Sequence, residues 1–182
     1  GDDRLNVAKA VIIPYCKKEG IKKIDTCVIS HPHRDHFGGF IDLVSAVPIG
    51  EFLYSTDAFG TNDPEEGGGD VQVYQKLYDA IKENQIPYRQ AKIGMNFNWG
   101  KDVEVKLLHA AEGIFATSNP APFVLKADVL GSEPAKVSSN EQSLIIKMTC
   151  GKISYLFTGD GEKNAEAWVI QNFREELPCT VL

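Results

Sequence analysis

Three of the chain's four histidines fall within six residues, in His31-Pro32-His33-Arg34-Asp35-His36, and Phe37-Gly38-Gly39 follows at once. Imidazoles and carboxylates at this spacing are cation ligands. In an extended segment, residues two apart point the same way, so His31 and His33 can offer their rings to one ion. Asp35 and His36 then turn into the next element and face a second point. Two imidazoles on one side, and a carboxylate with an imidazole on the other, suit two borderline-soft cations such as zinc. Gly38 and Gly39 lack a β-carbon, which lets the backbone pass close to the ions.

Two elements must position this cluster. The apolar stretch from Ile24 to Ser30 reads as a buried strand. Phe40, Ile41, Leu43 and Val44 repeat at helical spacing, and the helix runs to about Ala46 before Pro48 stops it. The histidines therefore lie in a loop at the carboxyl end of a strand, where open α/β sheets bind ligands.

The stretch HPHRDHFGG is a complete match to the signature His-x-His-x-Asp-His followed by Gly-Gly, and so resembles the metallo-β-lactamase superfamily. The resemblance implies an α/β (α+β) fold of the αββα sandwich type and a metal-dependent hydrolase with two zinc ions. Further on, an apolar strand from Ile153 ends in Thr158-Gly159-Asp160-Gly161. In the superfamily the matching aspartate bridges the two metals, so the resemblance makes Asp160 a ligand. Its structural alternative is to cap a helix over Glu162 to Phe173.

Most members carry a third histidine for the first metal shortly before this hairpin, where Asn140-Glu141-Gln142-Ser143 stands here. Asn-x-x-Ser, an apolar strand, a glycine turn and a strand ending in Thr-Gly-Asp together resemble the hydrolase domain of the ComEC competence family. Val11-Ile12-Ile13-Pro14-Tyr15, Gly20 to Asp25, and Val103 to His109 agree with it loosely. This implies hydrolysis of phosphodiesters, in nucleic acids or nucleotides. Asn140 in place of a histidine weakens the first site, so a single ion, or manganese, is an alternative to two zincs. Asn140 and Ser143 can hydrogen-bond a ligand or substrate, and Asn140 can equally cap its turn.

A bound ion lowers the pKa of its water to about 7 and offsets charge building on phosphate oxygens. Asp35 and Asp160 would hold and orient that water, with His31, His33 and His36 keeping the ions in place. The same signature serves lactam, lactone and thioester hydrolases, so it does not separate them. A non-catalytic binding domain that kept the motif is a third reading, favoured by the acidic balance and Asn140. The resemblance disfavours a diiron oxygen-reductase site, since such members usually carry Glu where His33 stands.

The remaining features set limits. The chain has 182 residues, a net charge of −6 and 43% hydrophobic residues, enough for one domain with a real core. The acidic balance argues against a basic nucleic-acid clamp. No apolar run approaches the roughly 20 residues of a membrane span. Cys16, Cys27, Cys150 and Cys179 form no CxxC pair and read as free thiols, which favours a reducing, cytoplasmic compartment. The family fold opens with strands before its first helix and continues past the segment near Thr180, so these residues are expected to be an interior piece of a longer protein, incomplete at both ends.

Along the chain, Asp2 or Asp3 should cap a helix with Leu5, Ala8, Val11, Ile12 and Tyr15 inward, ending at Gly20. Residues 56–70 read as an acidic, glycine-rich surface loop or a substrate lid, with Asp70 capping a helix whose core face is Val73, Tyr74, Leu77, Tyr78 and Ile81. Strands are expected over Gly50 to Ser55, Tyr88 to Ile93 and Val103 to Leu108, the last two joined by a turn at Asn98 to Lys101. His109 reads as a strand-end histidine with a local partner, or as a further metal ligand. Residues 110–139 form a long loop, and a hairpin turns about Cys150-Gly151-Lys152.

Overall fold

A computed structural model describes residues 5–55, 64–111 and 138–182, with the backbone alone over 64–71. The expected caps at Asp2 and Asp3, the loop over 56–63 and the segment 112–137 lie outside the described residues. The chain divides into two compact units, Gly1–Gln90 and Ala91–Leu182.

The first unit is built on a parallel sheet of order β1-β2-β3, with β1 over Ile24–Ile29, β2 over Ile49–Tyr54 and β3 over Tyr88–Gln90. Parallel strands require crossovers, and helices supply them. Helices α2 (Arg34–Phe37) and α3 (Phe40–Ala46) connect β1 to β2, and α4 (Pro64–Glu83) leads toward β3. Ile29, Phe37, Leu43, Phe52, Leu77 and Ile81 form the buried centre. Phe40 meets Phe52 edge-on at 5.3 Å, and Tyr54 stacks on Tyr88 at 4.0 Å.

Two local expectations change here. Helix α4 starts at Pro64, so Asp70 lies inside it rather than capping it. Proline at a first helical position forfeits no hydrogen bond, and this offsets part of the cost of Gly67, Gly68 and Gly69. The N-terminal helix is a five-residue π turn, Ala8–Ile12, followed by α1 over Ile13–Lys18. Its buried residues are Ala8 and Cys16, with Ile12 and Ile13 partly covered, whereas Leu5, Val11 and Tyr15 are exposed. A wide turn changes which residues share a face, so of the stripe counted at 3.6 residues per turn only Ala8 and Ile12 turn inward.

The second unit is an antiparallel sheet of order β4-β5-β6-β7: Asn96–Asn98, Val103–His109, Ile145–Cys150 and Ile153–Phe157. Helix α5, Lys163–Phe173, packs Ala165 and Val169 against Leu108, Ile145 and Leu156. The turn near Asn98 joins β4 to β5, not β3 to β5, since β3 pairs with β2. Between Leu107 and His109 the β5–β6 register shifts, a bulge that re-aims the end of the strand.

Gly50 shows how closely β1 and β2 approach. A β-carbon there would run into the Asp25 carbonyl and come within 3.1 Å of Lys23 Cε. Gly50→Ala should destabilise the protein by about 1–3 kcal/mol through overpacking, read by urea unfolding. Unchanged stability would contradict this packing.

Candidate metal centre

Strand β1 delivers the chain into the histidine cluster. Ser30 and His31 follow it, Pro32 fixes its own φ and removes a donor, and His33 remains extended at φ −85°, ψ 138° before α2 begins. Ile29 and Phe37, buried on either side, pin both ends of the segment. Gly38 allows the tight exit from α2, since a β-carbon there would lie 2.8 Å from the Arg34 carbonyl oxygen. The glycine is thus explained by a backbone contact.

The three rings meet. His31 is fully buried, and its Nε2 lies 3.0 Å from His33 Nδ1. The His31 and His36 ring centroids are 4.2 Å apart, and one ring nitrogen of each lies within 4.8 Å of the other. His31 therefore neighbours both of the other imidazoles, where the spacing had suggested two separate points. Asp35 is exposed, with Oδ2 3.3 Å from His36 Nε2.

Ser30 follows the strand directly, and its hydroxyl touches the cluster. Its Oγ lies 3.2 Å from His31 Nδ1 and 3.3 Å from His36 Nδ1. A hydroxyl has one proton to donate. For both contacts to be hydrogen bonds, one ring must donate its Nδ1–H to Ser30, which leaves the lone pair of that ring on Nε2. Such a tautomer lock is how a metal-binding histidine is held ready. Three converging imidazoles with an adjacent carboxylate therefore fit a borderline divalent cation.

In the second unit, the antiparallel order brings the end of β5, the start of β6 and the end of β7 to one edge of the sheet, with His109 opposite Ile145 and Phe157 opposite Ile146. Asn140, Ser143 and Asp160 lie at that edge. The Asp160 backbone N–H donates to Ser143 Oγ at 3.2 Å, while Asp160 itself is exposed. Asn140 Nδ2 donates to Glu162 Oε1 at 2.8 Å, and its buried Oδ1 has no partner among the described residues.

Helix α5 is not capped by Asp160. The buried carboxylate of Glu141 accepts the Asn164 and Ala165 N–H groups at 3.0 and 2.7 Å. Glu141 had no signal of its own in the sequence, because a cap reaching from another segment leaves no local pattern.

His109 has the local partner expected of it. Its Nδ1 donates to the Ser143 carbonyl at 2.8 Å. Burial holds its pKa below the usual histidine value, against the opposing effects of that hydrogen bond and of Glu141. Burial likewise pushes the Cys27 thiol up to about 12, so this side chain is an inert core group.

A sequence model of the metallo-β-lactamase superfamily matches residues 4–136. The chain belongs to the metallo-β-lactamase superfamily. Its metal-binding, hydrolase-like fold is therefore the setting of the histidine cluster, which lies inside the matched residues. The ComE operon protein 3 of Bacillus subtilis (strain 168) is 26% identical over 168 residues, covering 92% of this chain and 18% of that protein. The chain thus spans less than a fifth of this curated relative. Among solved structures, CmlA, a diiron beta-hydroxylase from Streptomyces venezuelae, aligns with a TM-score of 0.43 and 17% identity, over 84% of this chain and 24% of that one. Among the described residues, no helix is long and apolar enough to cross a membrane.

The His109 environment sets a pH dependence. Its folded pKa is depressed, so the unfolded chain takes up the proton first, near pH 6.5. The stability that wild type holds over His109→Gln should therefore be full above pH 7 and decline as pH falls below about 6.5. Urea unfolding of both proteins from pH 5 to 8 measures it, and a pH-independent difference would contradict it.

Proposed function

We propose that this chain is a metal-dependent hydrolase of phosphodiesters in nucleic acids or nucleotides, with His31, His33, Asp35, His36 and Asp160 as its ligand set. The observation that carries the reading is the meeting of three imidazoles at the end of β1, with His31 fully buried among them. Superfamily membership supports a metal there, and the resemblance to the competence family supports the substrate class. Two zinc ions are the expected complement, with manganese or a single ion as the alternative.

A bound cation supplies an acidified water and neutralises oxyanion charge. The chain's own groups do the rest. His31, His33 and His36 present ring nitrogens, with Ser30 holding two of the rings by their Nδ1 atoms. Asp35 and Asp160 would accept hydrogen bonds from that water and orient it, Asp35 from an exposed position beside His36. Asn140 Oδ1, which has no partner among the described residues, would serve as an acceptor for a substrate or water. With a net charge of −6, the chain offers little general attraction to polyanions, so phosphate recognition falls to the metal site. Residues 1–182 are proposed to act as one hydrolase domain, in a reducing, cytoplasmic setting that keeps the four cysteines as thiols.

Assay of the zinc- and manganese-loaded protein on bis(p-nitrophenyl) phosphate, a chromogenic lactam and a thioester tests this. Phosphodiester turnover that falls more than about 100-fold in His33→Ala is expected. Lactam or thioester turnover with an inert phosphodiester would overturn the substrate class. Failure to take up metal under any loading condition would favour a non-catalytic binding domain.

A further inference from the structure

The turn from Asn140 to Ser143 is spent on the loop that carries Asp160, which it holds at Asp160 itself and at the residues that follow. We infer that Ser143 and Glu141 are positioning residues for the Asp160 carboxylate, acting through backbone hydrogen bonds and without touching the metal themselves. The inference rests on the proposed ligand role of Asp160.

The loop after β7 is held in part by its own backbone. Gly159 sits at φ +55°, and the internal bonds are Gly161 N–H to the Thr158 carbonyl at 3.1 Å and Thr158 Oγ1 to the Gly159 carbonyl at 3.3 Å. The 140–143 turn adds further bonds. Ser143 Oγ takes the N–H of Asp160 itself. Asn140 Nδ2 holds the Glu162 carboxylate, and Glu141 takes the N–H groups of Asn164 and Ala165. Asp160 is therefore clamped at its own N–H and through the residues that follow it.

The brace is itself anchored. Glu141 and Ser143 are buried, and His109 donates to the Ser143 carbonyl from the end of β5. Gly161 is packed so closely that a β-carbon there would lie 3.1 Å from the Thr158 carbonyl oxygen, 3.4 Å from Ile145 Cδ1 and 3.5 Å from Ala165 Cβ. A ligand on a floating loop must be ordered when the ion binds, and one on a braced loop is ordered beforehand. Ser143 and Glu141 thus govern affinity for the cation.

The test uses the full chain and zinc, with affinity read by competition against a chromophoric chelator and folding read by thermal melting. Ser143→Ala should bind zinc about 10–100-fold more weakly at a temperature where it is fully folded. Ser143→Thr, which keeps the hydroxyl, should restore affinity. Glu141→Gln, which gives up one of two acceptor oxygens, should weaken binding less than Ser143→Ala, and it carries the test if the threonine variant does not fold. Asp160→Asn should lose at least as much as Ser143→Ala. Wild-type affinity in both Ser143→Ala and Glu141→Gln, with affinity lost in Asp160→Asn, overturns the brace and leaves the ligand assignment standing. Wild-type affinity in Asp160→Asn removes the assignment and the brace with it. Affinity that falls only in step with melting overturns the positioning role.

Discussion

Burying an imidazole at the end of a strand is costly unless its nitrogens are met, and the His31 ring is fully buried. Ser30 meets one nitrogen and His33 the other, while His36 packs beside the ring. Each of these partners sits within five residues of His31, so the arrangement depends on how the chain leaves β1. That exit is fixed by Ile29 and Phe37 in the core and by the short helix α2. The parallel sheet and its crossover helices form the base that keeps these few residues in register. Imidazoles packed this closely create a demand for a proton or a cation between their lone pairs, and a divalent ion satisfies more of them than any single proton.

The second unit solves a different problem. Asp160 is exposed and lies on a short loop after β7. Order comes from hydrogen bonds to backbone groups, supplied by a buried carboxylate and a buried hydroxyl on the turn before β6. The bulge at the end of β5 brings His109 to the same turn, so the three strand ends at that edge share one hydrogen-bonded corner. A cluster of rings makes the first site rigid, and a lattice of backbone bonds makes the second loop rigid.

Much of this was legible in the sequence because the signals were local. The strand before His31, the helix ending at Ala46, the core face of α4 and the hairpin at Gly151 all follow from period and turn residues within a dozen positions. The metallo-β-lactamase assignment followed from HPHRDHFGG alone. What escaped was set by other means. Strand β4 is three residues, Asn96–Asn98, two of them polar, and exists because β5 pairs with it. The π turn before Pro14 moved the buried face off Leu5, Val11 and Tyr15. Helix α4 begins before its glycines, against their propensity. Ser30 and Glu141 looked ordinary because their partners lie across a turn or on another segment.

The central claim is that the rings of His31, His33 and His36 bind a metal ion. X-ray absorption at the zinc edge of the zinc-loaded chain addresses it most directly. The account predicts nitrogen and oxygen donors at about 2.0–2.2 Å, with the outer-shell scattering of at least two imidazoles that disappears in His31→Ala. A spectrum without imidazole scattering, or one dominated by sulfur at about 2.3 Å, would contradict it.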